Sequence, residues 1–350
     1  MIDVNRHFNS RILFWFASLL FVVFFLSLAI GSVTIAPATL VRLVINTLPG
    51  THPDPQWVNE HITFSTILFQ LRLPHALLML LVGAALGGSG AAYQGLFRNP
   101  LADPYLIGVA SGAGLGAVVA MSIKFPHTSA GLLMVPLAAF CLAIGTVWLV
   151  YTLARVGKTT PTTNLILAGV AVSAFATALT SFFMLRSQGE LRRALAWLLG
   201  GGTLTGWQPV IACLPYILAG LGLLLMMGYP LDVLQFGDEQ AQQLGIRVSR
   251  VRWLVVAGAT LATAGAVAFS GIIGFVGLVV PHVIRLLGVS DYRKLLPSSM
   301  LGGAVLLIAA DMIARVVIAP QQLPVGIVTA ILGAPFFLWV LKRAKAQAFW

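Results

Sequence analysis

The sequence predicts an all-α polytopic membrane protein with about ten transmembrane helices. Hydrophobic residues make up 59% of the 350 residues and charged residues only 9%, whereas a soluble domain carries roughly a quarter charged residues. In addition, ten apolar runs reach or approach the length of about 20 residues that crosses the hydrocarbon core of a bilayer. These two observations exclude a soluble globular fold.

The ten predicted spans follow one another along the whole chain, joined by polar connections. The first run follows Arg6 and Arg11, as a signal peptide would, but it is too long for the apolar region of one and no small-residue cleavage site follows promptly. Only Ser270 and Gly271 separate the seventh run from the eighth. The spans are expected at residues 12–30, 73–97, 105–123, 131–153, 164–185, 207–228, 253–270, 272–289, 297–319 and 323–341.

The distribution of Lys and Arg predicts that both termini are cytoplasmic, because these residues collect on the cytoplasmic side of membrane proteins. With the N-terminus inside, the inner segments carry 14 and the outer segments 7 of the 21 Lys and Arg residues. We attribute the net charge of +11 to this asymmetry and expect a lipid bilayer, not nucleic acid, as the surrounding partner. The outer segment 31–72 is expected on the membrane surface, and the short run 191–199 as a helix across the mouth.

Residues 83–116 form the stretch around which we expect the other spans to pack. Glycines four residues apart, as in Gly83 and Gly87, let helix backbones approach closely. Proline-containing polar breaks at 98–100 and 103–104 interrupt the stretch, and such breaks at membrane depth are tolerated only beside protein or a wet cavity. We therefore predict two helices that meet at a polar hinge inside the bundle, with a tight turn between ordinary spans as the alternative.

A weak internal repeat relates residues 83–96 to residues 265–278, since both are glycine-rich and begin a predicted helix pair. In the predicted topology the two copies run in opposite directions, which is typical of inverted repeats with a transport site at their interface. Chance similarity between two glycine-rich apolar segments is the alternative.

No motif points to catalysis, a metal site or nucleotide binding. Cys141 and Cys213 lie inside apolar runs and form no paired-cysteine motif. Residues 157–159 resemble the end of a phosphate-binding loop, but Thr152 stands where that motif requires glycine. We predict no catalytic residue, no metal ligand and no cofactor bound by this chain.

The cytoplasmic segment of about 229–252 contains a short predicted helix. Asp238 suits its start and Gly245 its end, while Ala241 and Leu244 give it a small apolar side. It is either a loop helix that rests on lipid headgroups or a rigid knob offered to a cytoplasmic partner. The residues singled out there are Asp238, Glu239, Ala241, Leu244, Gly245 and Arg247.

Three ionisable residues lie near the outer ends of predicted spans. Asp311 and Arg315 are four residues apart, so they face the same side of the ninth span and are expected to pair. Alternatively, Arg315 accepts a carboxylate from a partner. Arg72 lies at the outer start of the second span, where it is suited to anchor to headgroups.

Seven short motifs follow one another between about Leu71 and Arg343. They are Arg72-Leu73-Pro74, Gly83-Ala84-Ala85-Leu86, Asn99-Pro100-Leu101-Ala102-Asp103-Pro104, Leu167-Ala168-Gly169-Val170, Gly274-Phe275-Val276-Gly277-Leu278-Val279-Val280-Pro281-His282, Leu323-Pro324-Val325-Gly326 and Gly333-Ala334-Pro335. Through them the sequence resembles the permeases of type II ABC importers, the family that imports vitamin B12, ferric siderophores and haem. Several motifs in family order are far more specific than any one of them.

The resemblance implies a single permease domain over residues 1–350 that moves a bulky metal chelate into the cytoplasm. It implies a homodimer of ten-span subunits in the bacterial cytoplasmic (inner) membrane. Two ATP-binding cassette subunits, which bind ATP and Mg, are expected inside, and a substrate-binding protein outside. A ferric siderophore is the first candidate ligand because such systems are the most numerous, with cobalamin and haem as alternatives.

The resemblance also implies roles for particular residues. Residues 238–245 match the family's coupling helix region, which fits a groove on the ATPase. Asn99 and Leu101 match one side of the cytoplasmic gate, and Thr162 and Thr163 match the other side.

On the outer side, Arg72 and Arg315 match basic positions that meet acidic residues of the binding protein. Close relatives can carry a second arginine where this chain has His75. This departure implies docking that is weaker, pH-sensitive near His75 or differently arranged.

A secondary transporter driven by an ion gradient also fits ten spans and an inverted repeat. Such a transporter is expected to carry a carboxylate near the bilayer midplane. Asp103 and Asp311 are the only acids near the spans, and both lie toward span ends. The sequence therefore favours the importer permease over this alternative.

Overall fold

The computed structural model describes residues 2–47, 54–123, 129–157, 159–186, 189–202 and 204–347. Residues 48–53 of the predicted outer segment 31–72, and Lys124 and Lys158 among the charges that predict the orientation, lie outside these ranges. Within them the regular structure is helical. The helices are α1 (Ile2–Ala29), α2 (Pro37–Ile45), α3 (Pro55–Glu60), α4 (Ile62–Thr66), α5 (Leu73–Phe97), α6 (Val109–Met121), α7 (Ser129–Ala154), α8 (Thr162–Arg186), α9 (Leu191–Leu198), α10 (Trp207–Met226), α11 (Gly228–Leu234), α12 (Asp238–Gln243), α13 (Val248–Ser270), α14 (Val276–Leu286), α15 (Tyr292–Val316) and α16 (Val325–Gln347), with a π-helical segment Ile67–Arg72 and a 3₁₀ segment Pro104–Ile107.

The helices confirm an all-α polytopic membrane fold. Seven of the helical stretches are long and apolar enough to cross a membrane, and α6, α14 and the apolar part of α16 are shorter apolar helices. Each of the ten predicted spans corresponds to one of these ten helices. The short outer run forms helix α9, as predicted.

The predicted starts of several spans differ from those of the helices; α13 and α15 begin at Val248 and Tyr292, five residues before the predicted 253 and 297. The second membrane helix begins at Ile62, not at residue 73, because α4 and the π-helical turn lead into α5 without a break. The outer segment 31–72 is therefore only partly a surface segment. The third and eighth spans begin their α-helices at Val109 and Val276, each directly after a residue with positive φ (Gly108, +90°, and Phe275, +69°). Hydropathy could not locate these starts, because the residues before them, the 3₁₀ segment Pro104–Ile107 and the non-helical residues 272–275, are also apolar.

Helix α5 lies at the centre of the bundle and contacts α10, α13, α14 and α15. Its glycines allow the close approach that their spacing predicted. A Cβ at Gly83 would lie 2.7 Å from Cα of Ala304, and a Cβ at Gly87 would lie 3.0 Å from the carbonyl carbon of Ser299, both on α15. Since no larger side chain fits at such separations, the glycines set the distance between these helices.

The predicted polar hinge between α5 and α6 is confirmed. Helix α5 ends because Arg98 adopts a left-handed conformation, with φ of 49°. The Asn99 side-chain oxygen accepts a hydrogen bond from the Leu101 N–H at 2.9 Å, and the Asp103 carboxylate accepts one from the Tyr105 N–H at 2.8 Å. These local bonds replace the helical bonds that the prolines remove.

The two copies of the weak repeat differ in local structure. Residues 83–96 lie within the single helix α5, whereas residues 265–278 cross the break between α13 and α14. The copies pack against each other, because Gly277 at the start of α14 contacts Gly90 of α5.

Candidate functional site

The four predicted gate residues lie at two helix boundaries. Asn99 and Leu101 are exposed in the hinge that follows α5, and Leu101 keeps 40% of its surface accessible. Thr162 and Thr163 form the first turn of α8, and Thr163 is exposed. Side chains on both sides of the predicted gate are therefore accessible at the surface of the chain.

The predicted cytoplasmic knob is the short helix α12. Ala241 is fully buried, whereas Leu244 at the end of the helix keeps 62% of its surface exposed, so the two residues do not share one apolar side as predicted. Gly245 follows with a φ of +82°, the left-handed conformation that ends a helix. Glu239 and Arg247 are exposed. Ala241 thus fixes the helix to the protein while Leu244 projects from it.

Asp238 begins α12, as predicted, but its side chain does not cap the helix. Gly237 occupies the cap position, and Asp238 is the first helical residue with no capping bond. Its carboxylate instead makes two ion pairs, from Oδ1 to Nη2 of Arg98 and from Oδ2 to Nη2 of Arg252, both 2.9 Å long. Arg252 also donates from Nη1 to the carbonyl oxygen of Thr160 at 2.6 Å.

These contacts join three elements at one end of the bundle. Arg98 belongs to the hinge that holds Asn99 and Leu101, and Thr160 precedes the first turn of α8. Neither Arg98, Arg252 nor Thr160 was among the predicted site residues. The sequence carries only one related signal, which is the placement of both arginines in segments predicted to be cytoplasmic.

At the end of the bundle predicted to face outward, two arginines bind the end of α1. Arg72 donates from Nη1 to the carbonyl oxygens of Leu28 and Ala29 at 2.8 and 3.1 Å, and Arg315 donates to that of Ser27 at 3.2 Å. The last carbonyls of a helix have no partner within the helix and carry its negative dipole end. Both guanidinium groups are buried and directed into the protein, where they stabilise the end of α1.

Asp311 links the remaining outer residues. Its carboxylate lies 2.8 Å from Nε2 of His75 and 2.9 Å from Nε of Arg315, which confirms the predicted pair on α15. Asp311 and Arg315 are buried, whereas about a third of the His75 side chain (34%) is exposed. The three residues predicted for binding-protein docking therefore lie in one network with Asp311 and the end of α1. These residues are Arg72, His75 and Arg315.

A cavity of about 380 Å³ lies between α6 and α8, beside the hinge. Its lining carries no charged side chain, and Ser111 donates a hydrogen bond to the Ser173 hydroxyl at 3.1 Å. Such a surface can hydrogen-bond neutral polar groups without attracting ions. The polar lining residues are Tyr105, Ser111, Ser173, Thr177, Thr180 and Ser181.

Asp103 lies in the hinge next to this cavity. Burial raises the pKa of its carboxyl to about 6, although the hydrogen bond from the Tyr105 N–H partly offsets this rise. Asp103 is the cap of the 3₁₀ segment, and its contact is with the backbone of its own turn. The carboxylate therefore serves the hinge and makes no bond across to another span.

Within the residues that the structure describes, nine apolar helices packed around the glycine-rich central helix α5 define a multi-pass membrane protein of the transporter class. A sequence model of the FecCD transport family matches residues 19–343. The chain belongs to this family, whose members are permease subunits of ABC transporters and lack an ATPase site of their own.

Individual relatives agree with this assignment. The chain is similar to the cobalamin import system permease protein BtuC of Halobacterium salinarum, with 44% identity over 288 residues that cover 82% of this chain and 76% of the relative. It is 37% identical to the hemin transport system permease protein HmuU of Yersinia pestis over 348 residues, or 98% of this chain and 99% of the relative. A solved inward-facing structure of a metal-chelate type ABC transporter superimposes with a TM-score of 0.80 at 30% identity, and covers 95% of this chain and 99% of that chain.

Proposed function

We propose that this chain is the transmembrane permease subunit of an importer that moves a bulky metal chelate into the cytoplasm. The observation that carries the proposal is helix α12, which is anchored by Ala241 and presents Leu244 to solvent. It pairs directly with Arg98 in the hinge and reaches Thr160, just before α8, through Arg252 of α13. A partner that binds α12 and moves it would also move the hinge after α5 and the start of α8. The similarity to a cobalamin permease and a hemin permease supports the same conclusion.

The proposed assembly contains two copies of this chain and two ATP-binding cassette subunits on the cytoplasmic side. ATP and Mg bind to those subunits, and a substrate-binding protein delivers the chelate from outside. The 14 to 7 distribution of Lys and Arg supports cytoplasmic termini in a bacterial inner membrane.

In the proposed mechanism this chain performs no covalent chemistry. Movement of the ATP-binding subunits displaces α12, and the displacement changes the separation of Asn99 and Leu101 from Thr162 and Thr163. The pathway then opens alternately to the two sides of the membrane. The hydroxyl-lined cavity between α6 and α8 offers neutral hydrogen-bonding groups along this route.

We propose that the binding protein docks at the outer ends of the second and ninth spans, as the family resemblance implies. Because Arg72 and Arg315 are bonded within the chain, their part in docking is to position this surface. His75 is the most exposed of the three residues and is the one placed to contact a partner.

The experiment that tests the proposal is a gentle detergent pull-down of the tagged protein from its native membranes. A stoichiometric soluble chain with a phosphate-binding loop among the co-purifying proteins supports the importer. Repeated isolation of the protein alone and folded contradicts it and favours a gradient-driven transporter.

The ligand is identified by a second measurement on the purified complex with its binding protein. A ferric siderophore, cobalamin and haem are added separately, and ATP hydrolysis is measured for each. Stimulation by one chelate assigns the ligand, whereas equal rates with all three contradict transport of a metal chelate by this complex.

A further inference from the structure

The carboxylate of Asp238 is the point at which α12 is joined to two separate helix boundaries. One oxygen pairs with Arg98, in the hinge that ends α5, and the other pairs with Arg252 on α13. Arg252 in turn donates to the carbonyl oxygen of Thr160, two residues before α8 begins. A displacement of α12 is therefore transmitted through one side chain in two directions.

The two ion pairs differ in their surroundings. The Arg252 side chain is 6% exposed, so loss of its carboxylate partner would leave a buried guanidinium with only one carbonyl bond. The Arg98 side chain is 39% exposed, and water and salt weaken a pair of that kind. The Asp238 side chain is 38% exposed in both pairs, so the contact to Arg252 and Thr160 is the better shielded of the two on its arginine side only. The contact to Arg98 is exposed on both sides and is easily broken and remade.

We infer that Asp238 is a positioning residue that couples α12 to both halves of the cytoplasmic gate. Through Arg252 it holds the start of α8 to α12 throughout the transport cycle, and through Arg98 it engages the hinge after α5 reversibly. The inference rests on the proposed function, since it needs ATP-binding subunits that move α12. The inference gives the Asp238 carboxylate a role within this chain, namely to join α12 to Arg98 and Arg252, that is separate from any contact with the ATP-binding subunits.

The test uses the complex of this chain with its co-purified ATP-binding subunits and needs no transported ligand. Cys141 is replaced by serine, because it is exposed, whereas Cys213 is fully buried. A single reporter cysteine is introduced as Leu101→Cys or Thr163→Cys, one on each side of the gate. The rate of labelling with a membrane-impermeant maleimide is measured with and without a non-hydrolysable ATP analogue.

The expected result separates the two ion pairs. Asp238→Asn at least halves the nucleotide response of both reporters while ATP hydrolysis continues. Arg98→Gln reduces the response of the Leu101→Cys reporter and leaves that of the Thr163→Cys reporter intact. High salt imitates Arg98→Gln, because it screens the exposed pair. The matched control is Arg250→Gln, which removes the same charge from an exposed position on α13 and changes neither response.

Three results would overturn the inference. Unchanged responses of both reporters in Asp238→Asn would show that the carboxylate transmits nothing. Equal losses at both reporters in Arg98→Gln would show a general structural effect. If the losses in Arg98→Gln and Asp238→Asn add in the double variant, the two residues act independently and not through their ion pair. If no ATP-binding subunit co-purifies with the unaltered chain, the proposed function itself fails, and that failure is recognised before any Asp238 variant is made.

Discussion

Replacement of Gly90 by alanine tests whether close glycine packing holds the central helix in place. A Cβ at Gly90 would overlap the carbonyl oxygen of Gly277 and lie 2.5 Å from its Cα. Because carbon atoms pack at about 3.5–4.0 Å, α5 and α14 would have to separate by about 1 Å. Separation also weakens the two bonds from Gln94 to the carbonyls of Gly277 and Leu278, which are already 3.4 and 3.3 Å long.

The magnitude follows from these changes. Overpacking costs about 1–3 kcal/mol, and the two long hydrogen bonds contribute about 0.5 kcal/mol each. The higher helix propensity of alanine returns about 1 kcal/mol. We expect Gly90→Ala to destabilise the folded chain by about 2 kcal/mol, which corresponds to a fall of roughly 3 °C in apparent melting temperature for a chain of this length.

The assay is thermal unfolding in detergent at one fixed scan rate, because membrane proteins of this size unfold irreversibly. The matched control is Gly222→Ala in α10, where an added Cβ meets no atom within 4 Å. The control is expected to melt at the same temperature as the parent or slightly above it. Identical melting of the Gly90→Ala and Gly222→Ala variants would refute the packing argument.

Three other substitutions test the proposed role of α12, the hinge after α5 and the cluster of His75, Asp311 and Arg315. Leu244→Asp places an unpaired charge on the exposed end of α12, so we expect transport to fall by at least about tenfold and co-purification of the ATP-binding subunits to weaken; normal assembly and transport would contradict the coupling role. Asp103→Asn keeps the hinge cap and removes a carboxylate whose pKa of about 6 lies above its unfolded value, so its ionised form is disfavoured in the fold. We expect about 1 kcal/mol of added stability at pH 7.5, measured by thermal unfolding and vanishing toward pH 4, with transport retained; loss of transport would favour a gradient-driven mechanism. Arg315→Gln leaves the buried Asp311 without its arginine and should cost about 3 kcal/mol of stability, whereas a residue that serves only for docking would lower affinity for the binding protein and leave the melting temperature unchanged.

The positions of the spans could be predicted because a helix in lipid must bond its own backbone and cover itself with apolar side chains. Both requirements are local and therefore visible in the sequence. The second helix was started too late because Gln70 and Arg72 lower the hydropathy of the preceding turns. In the fold, Arg72 is satisfied by carbonyls at the end of α1, more than 40 residues away (43 and 44). A polar residue within a span is therefore compatible with helix when a distant element supplies its partners.

The ion pairs of Asp238 with Arg98 and Arg252 could not be predicted in the same way. A carboxylate at the start of a helix is assigned by local rules to the helix itself. In the structure its partners are 140 and 14 residues away, because the packing of α5 and α13 brings Arg98 and Arg252 to the same end of the bundle. Both arginines had already been counted among the inner charges that orient the chain. In the sequence, Arg98 and Arg252 serve only as signals for membrane orientation. In the structure they hold helix ends together, and these contacts follow only from the packing of the helices.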